Sequence, residues 1–185
     1  MHAMPPRIAV FCGSASGARP LFADAAAAFG REMARRKIGL VYGGASIGLM
    51  RTLADAVLEA GGEVDGVMPD FMVERELLHP HLTRTHRVPD MHTRKALMAR
   101  LSDAFVALPG GFGTLDELFE ILTWRMIRLH DKPVGLLDVG RYWTPLIELV
   151  QHQIREGFVR PAEIARLIVG ESPHDLIDAL NLPSA

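Results

Sequence analysis

Cysteine occurs once in the 185 residues, at Cys12, so no intrachain disulfide can form and a reducing compartment is expected. At the end of an apolar run, that thiol reads as a small buried filler. Lysine is nearly as scarce: Lys37, Lys95 and Lys132 are the only ones, and arginine carries most of the positive charge. There is no basic excess either. A formal charge of −2 and a pI near 6.4 argue against a nucleic-acid partner, whose binding surface needs concentrated positive charge. No apolar run approaches the ~20 residues of a membrane helix, so no membrane partner is expected. Met1 to Arg7 lacks the apolar core of a secretory leader, and the expected location is cytoplasmic. The eight histidines are scattered, with His79, His81 and His86 on a polar loop and an edge strand, so no metal site is expected. Repeats and low-complexity linkers are absent, and the length suits one α/β domain over residues 1–185.

What is present is a regular alternation. Short apolar runs read as buried strands at Ile8–Cys12, Gly39–Tyr42, Glu63–Met68, Ala104–Leu108, Pro133–Leu137 and Leu167–Val169, with a more polar edge strand at Thr83–Val88. Helical patterns fall between them, at Leu21–Arg36, Leu49–Ala60, Met91–Ser102, Leu115–Leu129, Tyr142–Glu156 and Pro173–Leu180. Strand and helix in turn predict a Rossmann-like, doubly wound parallel sheet with helices on both faces. Pro69 to Pro80 is long, polar and irregular, as an active-site loop or a surface excursion would be. Along Leu115–Leu129, a stripe of Leu115, Leu118, Phe119, Leu122 and Met126 reads as core.

The chain turns on Pro109-Gly110-Gly111-Phe112-Gly113-Thr114-Leu115-Asp116-Glu117, a glycine turn between a strand and a helix. Its glycines allow positive φ and close backbone approach to a ligand, and the helix start behind them presents unpaired N–H groups. That combination suits a phosphate. Thr114-x-x-Glu117 equally matches a capping box, in which the glutamate only folds back on the helix end. Arg94 and Lys95 open the preceding helix, where cations oppose the dipole unless an anion lies nearby. A solvated helix face would carry the same pair. The loop Gly13–Gly17 is neither G-x-G-x-x-G nor a P-loop, although its hydroxyls could line a nucleotide pocket at the carboxyl edge of the sheet.

Arg94-Lys95 followed by the Pro109–Glu117 run resembles the paired motifs of the LONELY GUY family, cytokinin riboside 5′-monophosphate phosphoribohydrolases often mislabelled as lysine decarboxylases. Val41-Tyr42-Gly43-Gly44, Gly48-Leu49-Met50, Val73-Glu74-Arg75-Glu76 and Leu122-Thr123-Trp124 fall in family order, so the likeness runs from about Ile8 to Leu180. The resemblance implies hydrolysis of the N-glycosidic bond of an adenine-type nucleoside 5′-monophosphate, with no cofactor. It implies Arg94 and Glu117 as catalytic residues. Glu76, Lys95, Gly110, Gly111, Phe112, Gly113, Thr114, Leu115, Asp116 and Thr123 would contact substrate, and a homodimer would form. Thr123 also suits plain helix packing through its methyl group. A non-catalytic carrier of nucleotide or molybdenum cofactor could share the cradle but would not need Arg94 with Glu117. A pyridoxal-dependent decarboxylase would need a Schiff-base lysine, and Lys95 alone lies near the motifs. The chain departs from the family pattern at Ala45, Arg51 and Arg125–Arg128, changes expected to touch the base pocket or a subunit contact.

Overall fold

The computed structural model describes residues 5–75 and 77–182. Seven parallel strands form one sheet: β1 (Arg7–Phe11), β2 (Gly39–Tyr42), β3 (Val64–Pro69), β4 (Arg84–Val88), β5 (Ala104–Ala107), β6 (Val134–Leu137) and β7 (Leu167–Gly170). Their spatial order is β4-β3-β2-β1-β5-β6-β7. Winding starts at β1 and runs outward in both directions, so the order reverses between β1 and β5. Loops leaving those two strands diverge above the carboxyl edge, which opens the crevice where open α/β sheets bind ligands. The doubly wound parallel sheet expected from the alternation is the one observed.

The helices are α1 (Pro20–Arg35), α2 (Gly48–Glu59), α3 (Asp70–Val73), α4 (Met91–Leu101), α5 (Phe112–Met126), α6 (Thr144–Arg155), α7 (Pro161–Ile164) and α8 (Pro173–Ala179). Leu53, Phe29 and Ile177 from α2, α1 and α8 pack on one face of the sheet. On the other face Met98, Leu118 and Trp143 join α4, α5 and the start of α6 to Val41, Phe105 and Val134. Burying each such side chain contributes about 1.5–3 kcal/mol. Central strands covered on both faces must be apolar throughout, and β1, β2, β5 and β6 are buried along almost all their length. β4 has only β3 beside it and keeps Arg84, Thr85 and Arg87 exposed, as an edge strand can.

Three boundaries differ from the sequence reading in ways that matter. Helix α5 begins at Phe112 rather than Leu115, so three more residues of the run, Phe112, Gly113 and Thr114, are already helical. The expected core stripe divides: Leu118 is buried with Leu115 and Leu122 packed against the core, while Phe119 and Met126 face outward and Ile121, outside the stripe, is buried. The stretch after Pro69 contains a short helix, α3, before it becomes irregular.

Candidate functional site

The Gly-rich turn takes shape through β1 and β5. Gly13 N–H, just past β1, donates to Pro109 O, just past β5, at 3.0 Å. The two strand ends are thereby tied together below the crevice. Gly110 is a close-approach glycine: a Cβ there would run into Thr114 Oγ1 and come within 2.8 Å of Gly13 N. Gly111 and Gly113 have open space where a Cβ would point, leaving their backbone uncovered. None of the three has positive φ; that conformation occurs instead at Gly17, Gly44 and Gly48 nearby. The turn's glycines therefore serve close approach rather than positive φ.

The capping box does not form. Gly111 is the N-cap of α5, no side chain caps it, and Thr114 already lies inside the helix. Leu115 N–H is the first amide bonded within the helix, to Gly111 O at 3.1 Å. The amides of Phe112, Gly113 and Thr114 before it are the unpaired donors of a helix start, the groups that receive an anion. Tyr142 O–H holds the turn from behind by donating to Gly110 O at 2.5 Å.

Glu117 falls one turn beyond Thr114 on the inward side of α5, which buries Thr114, Leu118 and Ile121. With no cap to fold back on, its carboxylate points into a cavity of about 280 Å³ lined by Ser14, Gly43, Met50, Arg94, Phe112 and Glu117, among others. Its side chain is 12% exposed and that of Arg94 8%, with Arg94 Nη1 at 3.9 Å from Glu117 Oε1. Burial pushes the Glu117 carboxyl up from 4.5 to about 7; Arg94 pulls the other way and Asp116 adds to the rise. Cys12 lies on the floor of the same cavity. Burial, and then the charge of Glu117, hold its thiol far above neutrality, which leaves it a small apolar filler.

Arg94 reaches the cavity because α4 turns it inward with Met98, one turn on; the two are the buried residues of that helix. Asp90 caps the helix, accepting from Thr93 N–H at 2.7 Å. The Arg94 guanidinium is aimed by two features. Its Nε donates to Val67 O at 3.0 Å. Its far end passes over Gly43, where a Cβ would overlap Arg94 Nη2 and lie 2.7 Å from Met50 Cε. A bare backbone at residue 43 is thus the seat of the arginine. Sequence reading passed over this contact, although an arginine four residues before an inward methionine was a signal for a buried arginine.

The remaining candidates separate. Phe112 is 92% exposed at the cavity mouth. Leu115 packs into the core beside Leu118. Lys95 is not free to meet an anion: its ammonium lies 3.1 Å from Asp116 and 3.2 Å from Glu120, a brace between α4 and α5. Neither Lys95 nor Asp116 lines the cavity. Thr123 lies further along α5, in an apolar groove of about 250 Å³ formed with Phe119, Met126, Leu146, Ile147 and Val150. Glu76 falls outside the described residues. Of the departures from the family pattern, Ala45 lines the cavity. Arg51 instead pairs with Asp55 on α2, and Arg125 donates to Arg166 O beside the groove.

The lysines also weigh against pyridoxal chemistry. Lys95 is held by two carboxylates, Lys132 donates to Ala99 O and Ser102 O, and Lys37 follows the far end of α1; none lines the cavity.

A family profile described as "Possible lysine decarboxylase" matches residues 50–180. The cytokinin riboside 5′-monophosphate phosphoribohydrolase of Rhodococcoides fascians is 48% identical over 180 residues, covering 97% of this chain and 91% of that protein. The corresponding LOG5 enzyme of Arabidopsis thaliana is 43% identical over 94% of this chain and 76% of its own length. Among solved structures, the molybdenum cofactor binding protein of Rippkaea orientalis superposes with a TM-score of 0.71, covering 96% of each chain, at 21% identity, a likeness of fold alone. With an Arg94–Glu117 cavity at the switch point and this degree of identity along nearly its full length, the chain belongs to the LONELY GUY family of cytokinin riboside 5′-monophosphate phosphoribohydrolases.

Proposed function

We propose that this chain, acting as one nucleotide-binding domain, hydrolyses the N-glycosidic bond of cytokinin riboside 5′-monophosphates and of AMP, releasing free base and ribose 5-phosphate. One observation carries the reading: a buried carboxylate and a buried guanidinium face the same cavity, whose rim is an uncapped helix start. The 5′-phosphate sits on the amides of Phe112, Gly113 and Thr114, with Gly110 and Gly111 beneath it, and Ser14 beside it. That anchorage sets the ribose over Glu117. As the C1′–N bond breaks, its electron pair leaves with the purine and positive charge gathers on the ribose. Ionised Glu117 stabilises that charge and takes a proton from the water that adds to C1′. That proton passes on to the departing purine nitrogen, which leaves the base neutral and restores the carboxylate. A group with its pKa near working pH suits this role. Arg94 remains protonated throughout and acts electrostatically, on the charge developing in the departing base. The apolar groove with Phe119, Leu122 and Met126 is the surface on which a homodimer forms, and the lone buried thiol suits a cytoplasmic setting.

Incubation with AMP and with isopentenyladenosine monophosphate, followed by chromatography, is expected to show free base and ribose 5-phosphate in equal amounts. Binding without release would favour the carrier reading instead. The pH profile gives a second test. The ionised form of Glu117 is the working one, so kcat/KM is expected to fall about tenfold per unit as pH drops below about 7. A profile flat from pH 5 to 8 would remove Glu117 from the chemistry.

A further inference from the structure

We infer that His79 is a positioning residue of this site, clamping through Asp55 the turn that seats Arg94. The inference rests on the hydrolase reading above.

The turn after β2, Gly44 to Ile47, forms one wall of the cavity: Gly43 seats Arg94, and Ala45 and Ile47 line the space beside it. Gly44 holds φ at +80°, a conformation open to glycine without strain, and the turn it begins is supported from outside. Support comes from the segment Leu77–His79, which lies antiparallel against it. Ser46 N–H donates to Leu77 O at 2.9 Å, His79 N–H donates to Gly44 O at 2.8 Å, and Ala45 pairs with Leu78. Those backbone bonds close only if Leu77–His79 is itself held.

The imidazole of His79 does the holding. It is 3% exposed, an unusual depth for a residue in an irregular connection. Its Nδ1 accepts from His81 N–H at 3.2 Å, so the ring's single proton lies on Nε2. Nε2 donates it to Asp55 Oδ1 on α2 at 2.8 Å. Arg51, one turn earlier on α2, donates to the other carboxylate oxygen at 3.2 Å and fixes the acceptor. Helix α2 begins at Gly48, directly after the turn, so the ring bridges the turn's two supports, the connecting segment and the helix. Loss of that bridge frees the segment, relaxes the turn and lets the floor under Arg94 shift. A displacement of about 1 Å at a catalytic group costs on the order of 100-fold in rate.

The test compares His79→Ala, His79→Gln and Asp55→Ala with the unaltered protein, well below their melting temperatures. His79→Ala and Asp55→Ala are expected to lower kcat on AMP at least tenfold. Each should also speed hydrogen exchange at the Ser46 amide, with the β1 and β5 amides unchanged. In His79→Gln the side-chain amide still donates to Asp55 and should recover most of kcat. The His79→Ala/Asp55→Ala double variant should be no worse than either single one, because both remove the same bond. A purely structural histidine would lower the melting temperature and leave kcat and KM alone; that result overturns the proposal, as does unchanged exchange at Ser46. Unaltered protein that neither hydrolyses nor binds AMP or its prenylated analogue overturns the hydrolase reading, and the proposal with it. An active parent with an undiminished His79→Ala variant overturns the proposal alone.

Discussion

Glu117→Gln is expected to lower kcat by about 100- to 1,000-fold with AMP while the fold stays intact, the range seen when one preorganised charge is removed from a transition state. Glutamine has the same shape and remains a hydrogen-bonding group, so KM should move little. It carries no charge to set against the ribosyl cation and takes no proton from water. The capping alternative predicts full turnover, since glutamine satisfies a capping box as well as glutamate does. The geometry argues against that alternative already, because Gly111 is the cap and Glu117 lies well inside the helix.

Stability should respond to the same substitution with a definite pH dependence. The folded-state carboxyl titrates near 7 and the ordinary value is 4.5. Between those limits the unfolded chain loses the proton while the folded protein keeps it. Stability therefore falls as pH rises through the window and levels off above about 7. Glutamine does not titrate, so Glu117→Gln should lack this fall and gain about 1–3 kcal/mol relative to the parent on going from pH 4.5 to 8. Melting temperatures of the two proteins across that range measure it directly. Parallel curves would mean that the carboxylate is solvated after all. A parent that loses stability in order to keep a charge buried is what a working active site predicts.

Gly43→Ala is expected to lower kcat/KM by about 100-fold although residue 43 takes no part in the chemistry. The added methyl would occupy the space of Arg94 Nη2 and crowd Met50 Cε. Arg94 must move, and leaving the Val67 carbonyl costs it a buried hydrogen bond. Strain and the lost bond together should cost about 1–3 kcal/mol of stability. A double-mutant cycle isolates the cause. In an Arg94→Ala background the guanidinium is gone, and Gly43→Ala should then cost little further stability and no further activity. Additive losses would show that the glycine is needed for something other than the arginine.

The sheet was legible because each central strand is an unbroken apolar run and each helix a periodic one. A parallel sheet covered on both faces demands that pattern, and little else does. Errors clustered where the backbone answers to neighbours rather than to its own residues. Helix α5 starts at Phe112, ahead of the residues with good helix propensity, because Pro109 is tied to Gly13 on the next strand and the chain must turn at once. Phe119 and Met126 have helical spacing with Leu115 and Leu122, yet they face the groove, since the arc of α5 that touches the sheet is narrower than the apolar stripe.

Among the candidate site residues the same division holds. Composition and motif order alone determined the class of fold, the Gly-rich turn ahead of a helix and the family that the chain resembles, because each depends on residue types at fixed local spacing. Which of two adjacent cations faces the cavity was decided only by tertiary packing: Arg94 lies over Gly43, and Lys95 is spent on Asp116 and Glu120. The raised titration of Glu117 and the clamp from His79 to Asp55 likewise join groups distant in sequence or depend on burial. Burial and long-range contact are properties of the assembled sheet, and no local pattern encodes them.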